Sequence, residues 1–379
     1  MNVLVLNTGS ATIKCSLVDA AGRQRLSSAS VDWSSSASDQ PPPLTALVRR
    51  AAVARVDALA HRVVHGGPSY SAPARLTVES IQAIEAASAL APLHNAPALA
   101  IIHTALAQYP DLPQLAVFDT AFHHHLPDHA RHYAVPRRWR DDHGVRRYGF
   151  HGISHASVAR QTAELLQRPL ESLRLVSLHL GNGASAAAIA GGRSIDTSMG
   201  MTPLEGLVMG TRSGDLDTAA ALHVARREQL SLSGLEDTLT RHSGLMGLCG
   251  DSDLRTVLSR SATGDRDAVL ALAIYSYRIR KYIGAYTAAM GGIDALVFTG
   301  GVGENAPAIR SMVCEGMAYF GIALDHHANQ ASEFTKARAI QAAEASVAVV
   351  VAPSDEDMEI ARQAGGFLAP RATDRPRQT

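Results

Sequence analysis

Two glycine turns, one in each half of the chain, constrain the fold more than any other feature of this sequence. Val3-Leu4-Val5-Leu6 runs into Asn7-Thr8-Gly9-Ser10, apolar residues resume through Leu17-Val18, and Ala21-Gly22-Arg23 makes a second turn. Far downstream, Leu175-Val176-Ser177-Leu178-His179-Leu180 runs into Gly181-Asn182-Gly183-Ala184, and Gly191-Gly192-Arg193 turns again. Each stretch reads as three strands joined by tight turns, because Gly and Asn supply the positive φ that short hairpins need. Asn7 and Asn182 stand nearly half the chain apart. One reading is two similar domains, each with a hairpin whose amides and hydroxyls approach a phosphate, and a nucleotide bound between them. The other is two unrelated hairpins.

Composition narrows the function classes. A length of 379 residues suits two or three domains, and 46% hydrophobic with 18% charged residues is ordinary globular content. Lys+Arg and Asp+Glu both number 35, so no net field attracts nucleic acid or an anionic membrane. Cys15, Cys249 and Cys314 are too few and too scattered for a disulfide framework. The chain opens directly on a strand-like run, and no apolar stretch approaches the roughly 18 residues of a membrane span. These features predict a cytoplasmic location. Lys14 is one of only three lysines, and a compact ammonium beside the first turn suits a point contact to phosphate. A partly exposed strand position that tolerates any cation is the alternative.

The pattern alternates strands and helices. Strands are expected at Asp57–Val64, Leu115–Phe118, Ala295–Thr299 and Val347–Val351. Helices are expected at Val78–Leu90, Ala96–Gln108 capped by Asn95, Asp215–Arg227, Asp267–Gly284, from Asn305 onward and from Asp355 onward. Ser27–Pro43, rich in Ser, Ala and Pro, reads as a surface loop, and the tail with Pro370 and Pro376 is expected to fray.

Several loops at strand ends carry candidate chemistry. Phe298-Thr299-Gly300-Gly301-Val302-Gly303-Glu304-Asn305 feeds a strand through a glycine turn into a helix start, a place for an anion or a plain connection. No Gly-Lys pair occurs, which excludes the usual P-loop. Arg62 interrupts an apolar strand and Arg212 sits in Thr211-Arg212-Ser213-Gly214-Asp215; a buried Arg demands an anion, either a ligand or an internal carboxylate. His151 lies between glycines in Gly149-Phe150-His151-Gly152-Ile153-Ser154-His155, either facing a ligand or making one structural bond. Asp119 ends a strand, the position of many catalytic or metal-bearing carboxylates, with capping as the other reading. His123-His124-His125 suggests zinc only weakly, since neighbouring side chains diverge and neither Cys nor HExxH accompanies them. Asp355-Glu356-Asp357 offers three carboxylates where one cap is expected.

Taken in order, these motifs are specific. Asn7-Thr8-Gly9-Ser10 to Lys14, His61-Arg62-Val63-Val64-His65-Gly66-Gly67, Phe118-Asp119-Thr120-Ala121-Phe122-His123 and Gly149-Phe150-His151-Gly152 come first. His179-Leu180-Gly181-Asn182-Gly183, Asp196-Thr197-Ser198-Met199-Gly200, Thr211-Arg212-Ser213-Gly214-Asp215-Leu216-Asp217 and Gly301-Val302-Gly303-Glu304-Asn305 follow. Together they resemble the acetate kinase (acetokinase) family over nearly the whole chain. The resemblance implies an α/β fold of duplicated ribonuclease-H-like domains, as in actin and sugar kinases, with the active site in an interdomain cleft. Residues 1–121 plus 360–379 would form the N-terminal domain on the phosphate and acetate side, and 122–359 the C-terminal domain on the nucleotide side. It implies a homodimer that transfers phosphoryl reversibly between ATP and acetate, giving acetyl phosphate and ADP, with Mg2+ or Mn2+. A propionate or butyrate kinase is the near alternative, and a non-catalytic ATPase switch on the same fold the distant one.

By position, the resemblance assigns Asn7 and Glu356 to the metal. Lys14, His179, Leu180, Gly181, Asn182, Gly183, Asp253, Leu254, Arg255, Gly301, Val302, Gly303, Glu304 and Asn305 fall to the nucleotide. Arg62, Asp119, His151 and Arg212 form the catalytic set, and Arg62, Val64, Leu93, Phe150 and Pro203 hold the acid and its methyl group. Departures from the family pattern are a short segment at Ser27–Arg55, Ala11 and Thr12 where serines are commoner, Thr218 for a Pro, and Asp357 for a second Glu. Acetate is ionised at neutral pH, so no base is needed; charge neutralisation and alignment are. Asp119 is therefore expected to organise magnesium, its water or an arginine.

Overall fold

A computed structural model describes residues 1–9, 12–21, 24–33, 44–331 and 335–369, with backbone only at 92 and 93. The expected turn residues Ser10, Gly22 and Arg23, the family departure Ala11, the Leu93 side chain and the tail beyond 369 lie outside the described residues. The chain divides into two compact units, Met1–His124 with Asp355–Thr379, and His125–Ser354. The divisions expected after 121 and 359 fall a few residues away, and Glu356 and Asp357 lie in the first unit.

In the first unit, β1 (Asn2–Thr8), β2 (Thr12–Asp19) and β3 (Gln24–Asp32) form an antiparallel meander. β4 (Ala58–Val63), the two-residue β5 (Ala74–Arg75) and β6 (Gln114–Phe118) complete a sheet of order β3-β2-β1-β4-β6-β5. β1, β4 and β6 are parallel, and β5 closes the edge antiparallel to β6. Val3–Leu6 and Gln114–Phe118 are continuously buried, as strands covered on both faces must be. Leu4, Leu6, Ile13 and Leu17 pack with Leu44, Leu47 and Ile101 on one side. Val63, Ala116 and Phe118 pack with Ile84 and Ile102 in a second cluster. The helix Glu356–Leu368 packs on β1, β2, β4 and β6.

The second unit repeats this plan. β7 (Arg174–Leu180), β8 (Ala184–Ala190) and β9 (Arg193–Thr197) form the meander, while β10 (Ala295–Thr299), β11 (Arg338–Ala339) and β12 (Ala348–Val351) give the order β11-β12-β10-β7-β8-β9. β7, β10 and β12 are parallel and β11 is the antiparallel edge. Read from opposite ends, the two sheets have one topology, that of duplicated ribonuclease-H-like domains. β1 meets β4 at Val3↔Ala58 and β7 meets β10 at Leu175↔Ala295. By this register Asn7 corresponds to His179 and Gly9 to Gly181. The two asparagines that mark the repeat in sequence are therefore not structural equivalents.

Four sequence expectations are corrected. Ser27–Pro43 is not a loop throughout, since residues 27–32 belong to β3, where Ala29 and Val31 pack into the core while the backbone pairs with β2. The helix expected at Ala96 begins at Pro92, so Asn95 is not its cap. Asn95 is instead fully buried and its amide bonds both the N and O of His65, at 3.0 and 2.9 Å. The helix expected from Asp215 begins at Thr218, capped by Asp217; Asp215 accepts from Gly206 N at 2.9 Å and Tyr282 Oη at 2.8 Å. The helix expected from Asn305 is two, Gly300–Asn305 and Pro307–Cys314, because Pro307 has no N–H and pushes Ala306 out of helical geometry.

Two buried features give measurable consequences. Gly300 has φ +77°, and a Cβ there would stand 2.7 Å from Leu180 O. Gly300→Ala is expected to lower stability by about 2–4 kcal/mol in chemical denaturation, combining left-handed strain with overpacking. His61 on β4 is buried, and its Nε2 donates to Gln114 Oε1 at 3.0 Å, because Gln114 Nε2 is already donating to Ala105 O and Tyr109 O. Burial lowers its pKa from 6.5 to about 4, with the Gln114 bond opposing. The unfolded chain therefore takes up this proton first as pH falls. Stability should decline between pH 6.5 and 4, by about 3 kcal/mol from this group. His61→Gln should flatten that part of the pH–stability curve.

Candidate active site

In the first unit, parallel pairing sets the carboxyl ends of β1, β4 and β6 side by side, with Asn7, Arg62 and Asp119 at those ends. Lys14 on β2 lies opposite Asn7, and the start of the helix Glu356–Leu368 adds three carboxylates. Arg62 binds Asp119 through two nitrogens, Nη2 to Oδ2 at 2.7 Å and Nε to Oδ1 at 3.2 Å. Its Nη1 reaches Asn7 Oδ1 and Glu356 Oε2, each at 3.2 Å. Burial alone would lower the Arg62 pKa, but the carboxylates of Asp119 and Glu356 raise it further. Burial and the Glu356 charge push Asp119 above the ordinary carboxylate range against the pull of Arg62, and the two-pronged geometry ties the pair together. Arg62 thus has internal carboxylate partners, and among the described residues one Nη2 hydrogen is left to offer a ligand.

Asp355 caps the last helix and ion-pairs with Arg25. Asp357 is buried and receives Ser16 Oγ at 2.7 Å, Lys14 Nζ at 2.9 Å and Asn7 Nδ2 at 3.2 Å. Burial raises its pKa, but Lys14, Ser16 and Asn7 together hold it below the ordinary value. Lys14 is therefore engaged with a carboxylate inside its own unit. Glu356 Oε2 also accepts from Asn7 Nδ2 at 3.3 Å, and its Oε1 has no partner among the described residues.

In the second unit His151 has φ 56° and stands immediately before the helix Gly152–Leu166, with no side-chain bond to its first turn. A non-glycine residue held in this region marks a constrained position. Its Nδ1 meets Ser185 Oγ at 2.9 Å, and its ring stacks on His179 at 4.2 Å. His179 Nδ1 meets Ser154 Oγ at 2.8 Å, and His155 bridges Ser177 and Ser185 at 2.9 and 2.8 Å. A Cβ on Gly183 would stand 3.6 Å from Arg212 Nη1 and 3.7 Å from His151 Nε2, so all three converge. Arg212 Nη1 donates to Pro203 O at 3.1 Å and approaches Met209 Sδ at 3.8 Å. No carboxylate among the described residues pairs with it, and burial lowers its pKa.

A cavity of about 760 Å³ opens in the same unit, lined by Gly181, Asn182, Asp253, Leu254, Arg255, Gly301, Val302 and Asn305. This brings together eight of the residues singled out for the nucleotide. Gly303 is buried in the short helix, and Leu180 is buried with its carbonyl against Gly300. Glu304 accepts from Gly300 N at 3.1 Å and Ser354 N at 2.8 Å, fixing the loop. Asp253 caps the helix Leu254–Ala262 and pairs with Arg255. Gly210, Leu245, Ser252, Leu258, Tyr275 and Ala306–Ala308 also line the cavity; Gly210, Ser252 and the residues after Asn305 adjoin motifs that point to them, whereas Leu245, Leu258 and Tyr275 carry no such signal. Of the expected methyl pocket, Val64 is buried in the first unit, and in the second Phe150 is buried and Pro203 partly so. Among the described residues, no group of three or more His, Cys, Asp or Glu is gathered to hold a metal. No helix among the described residues is long and apolar enough to cross a membrane.

Comparisons with known proteins agree on one relationship. The family model described as the acetokinase family matches residues 44–362. The acetate kinase of Sulfurovum sp. strain NBC37-1 is 45% identical, over 96% of this chain and 98% of its own. That of Streptomyces griseus is 46% identical over 97% of each. The crystal structure of Porphyromonas gingivalis acetate kinase superposes with a TM-score of 0.88 at 37% identity, covering 97% of this chain and 100% of that one. A propionate kinase from Francisella tularensis gives 0.88 at 35%, covering 96% and 98%. On this shared sequence and fold, the chain belongs to the acetokinase family and is an enzyme, a phosphotransferase with a carboxyl group as acceptor.

Proposed function

We propose that the enzyme transfers the terminal phosphoryl group of ATP directly and reversibly to acetate, with magnesium, giving acetyl phosphate and ADP. An acetate oxygen attacks the γ-phosphorus in line, the bond from that phosphorus to the β-γ bridging oxygen breaks, and ADP leaves with the electron pair. The observation that carries this reading is Arg212, a cation whose partners among the described residues are a carbonyl and a thioether, set with His151 around Gly183. A guanidinium so placed is matched by the charge of a moving phosphoryl group, and His151 donates to the same oxygens. The cavity beside Gly181 and Asn182 takes the nucleotide, within the size range of small-molecule sites. Arg62 orients the carboxylate through its remaining N–H, held in place by Asp119. Val64, buried in the first unit, is assigned to the methyl group.

The residues assigned to magnesium fit a hard cation. Lys14, Arg25 and Arg62 face four carboxylates, Asp119, Asp355, Glu356 and Asp357, and Glu356 Oε1 is unpartnered among the described residues. Asn7 and Glu356 would hold the ion, which supplies charge neutralisation for the nucleotide phosphates. Homodimeric assembly and a cytoplasmic location belong to the same proposal. The propionate kinase relative favours a second reading, in which propionate is also accepted.

The test is acyl phosphate formation from ATP, trapped as the hydroxamate, with acetate, propionate and butyrate compared. Acetate should be preferred over propionate by about tenfold or more, and Val64→Ala should narrow that gap. Equal efficiency on the two acids would move the assignment to a general short-chain kinase. Arg212→Ala should lower turnover by about a hundredfold or more without loss of stability, since it leaves no buried carboxylate unpaired. Arg62→Ala should lose comparable activity and also about 3 kcal/mol of stability, because Asp119 is left buried without its cation. Near-normal turnover in either variant would remove it from the catalytic set.

A further inference from the structure

Arg310 is the largest fully buried side chain among the described residues, with no exposed surface. It pairs with no carboxylate among the described residues. Its nitrogens are satisfied by carbonyl oxygens alone: Nε donates to Asn329 Oδ1 at 2.7 Å and Nη2 to Asn329 O at 2.6 Å. Nη1 donates to Gly303 O and Glu304 O, both at 2.8 Å. Those two carbonyls belong to the short helix Gly300–Asn305, of which Gly301, Val302 and Asn305 line the cavity. Asn329 is itself anchored, with Nδ2 donating to Pro307 O at 3.1 Å and Ser311 Oγ at 3.0 Å. Burial, aided by Arg338, lowers the Arg310 pKa to about 10, so the group is charged at neutral pH.

A buried cation without an anion is a costly way to fill space, and an apolar side chain of similar volume would fill it more favourably. What the guanidinium adds is a rigid planar set of donors that fixes several carbonyls at once. The far side of the same loop is tied by the Glu304 carboxylate to Gly300 N and Ser354 N. The loop is therefore gripped from both sides and its cavity-facing backbone has little freedom.

We propose that Arg310, seated on Asn329, is a positioning residue for nucleotide binding. It presets the Gly300–Asn305 loop through the Gly303 and Glu304 carbonyls and touches no substrate. The inference rests on the reading of the cavity as the nucleotide site.

The experiment measures KM for ATP and for acetate separately, with ADP binding by calorimetry. Arg310→Lys keeps the charge and loses the planar donor set. It should raise KM for ATP about tenfold, the scale of losing one or two bonds from a charged donor, and leave KM for acetate within twofold. Asn329→Ala loosens the same guanidinium without removing it, should show the same split, and serves if the Arg310 variant does not fold. A merely structural role would instead lower thermal stability with both KM values unchanged or moving together, and that result overturns the proposal. Leu258→Trp, which narrows the cavity itself, distinguishes the two levels of the argument. If it leaves ADP binding intact, the nucleotide reading fails and the inference fails with it. If it abolishes ADP binding while Arg310→Lys and Asn329→Ala bind ADP like the native protein, only the inference fails.

Discussion

Parallel pairing at the centre of each sheet is the constraint from which the rest follows. Because β1, β4 and β6 run the same way, their carboxyl ends fall on one edge and deliver Asn7, Arg62 and Asp119 together. β7, β10 and β12 do the same for His179, the Gly300 turn and Ser354. An antiparallel arrangement would send alternate ends to opposite edges and scatter these groups. The antiparallel hairpins then place the second residue of each pair, Lys14 opposite Asn7 and Ser185 opposite His179.

Three arginines show how differently one fold can treat the same buried charge. Arg62 is neutralised by Asp119 and Glu356, which makes it rigid and leaves little of it for a ligand. Arg310 is dispersed over carbonyl dipoles and acts on backbone geometry. Arg212 has the single carbonyl of Pro203 and no carboxylate among the described residues, which leaves most of its donors for a ligand. Sequence alone marks Arg62 and Arg212 but cannot rank them, because the ranking depends on where Asp119 and Glu356 come to rest.

Much of the architecture is legible in the residues. The apolar run Ala295–Thr299 is a strand to the residue, and the glycine turns at Gly181–Gly183 and Gly301–Asn305 do meet at one cavity. Legibility fails where tertiary contact overrides composition. Ser27–Asp32 carries the small polar residues of a loop, yet the β2 ladder supplies its hydrogen bonds. Asn95 has the chemistry of a helix cap, but the fold uses its amide to hold His65. The support around His151, made of Ser185, His155 and Ser177, has no signature in sequence, because single serines on buried strands look like packing. Arg310 was silent for the same reason, its meaning lying in two carbonyls and a distant asparagine.

The first unit is discontinuous in the chain, Met1–His124 being completed only by Asp355 and the residues after it. The second unit, a single unbroken segment, has every strand of its sheet before the ribosome reaches the last helix. During synthesis the first sheet therefore waits, with β1, β2, β4 and β6 lacking the helix that covers them. Lys14, Ser16 and Asn7 wait likewise for the Asp357 carboxylate. A nascent chain in this state exposes apolar strands for as long as some 230 intervening residues take to be made, at roughly 5–20 residues per second. The order of assembly is thereby fixed by connectivity: the inserted unit matures first, and the polar cluster of the enclosing unit closes as one of the last events of folding.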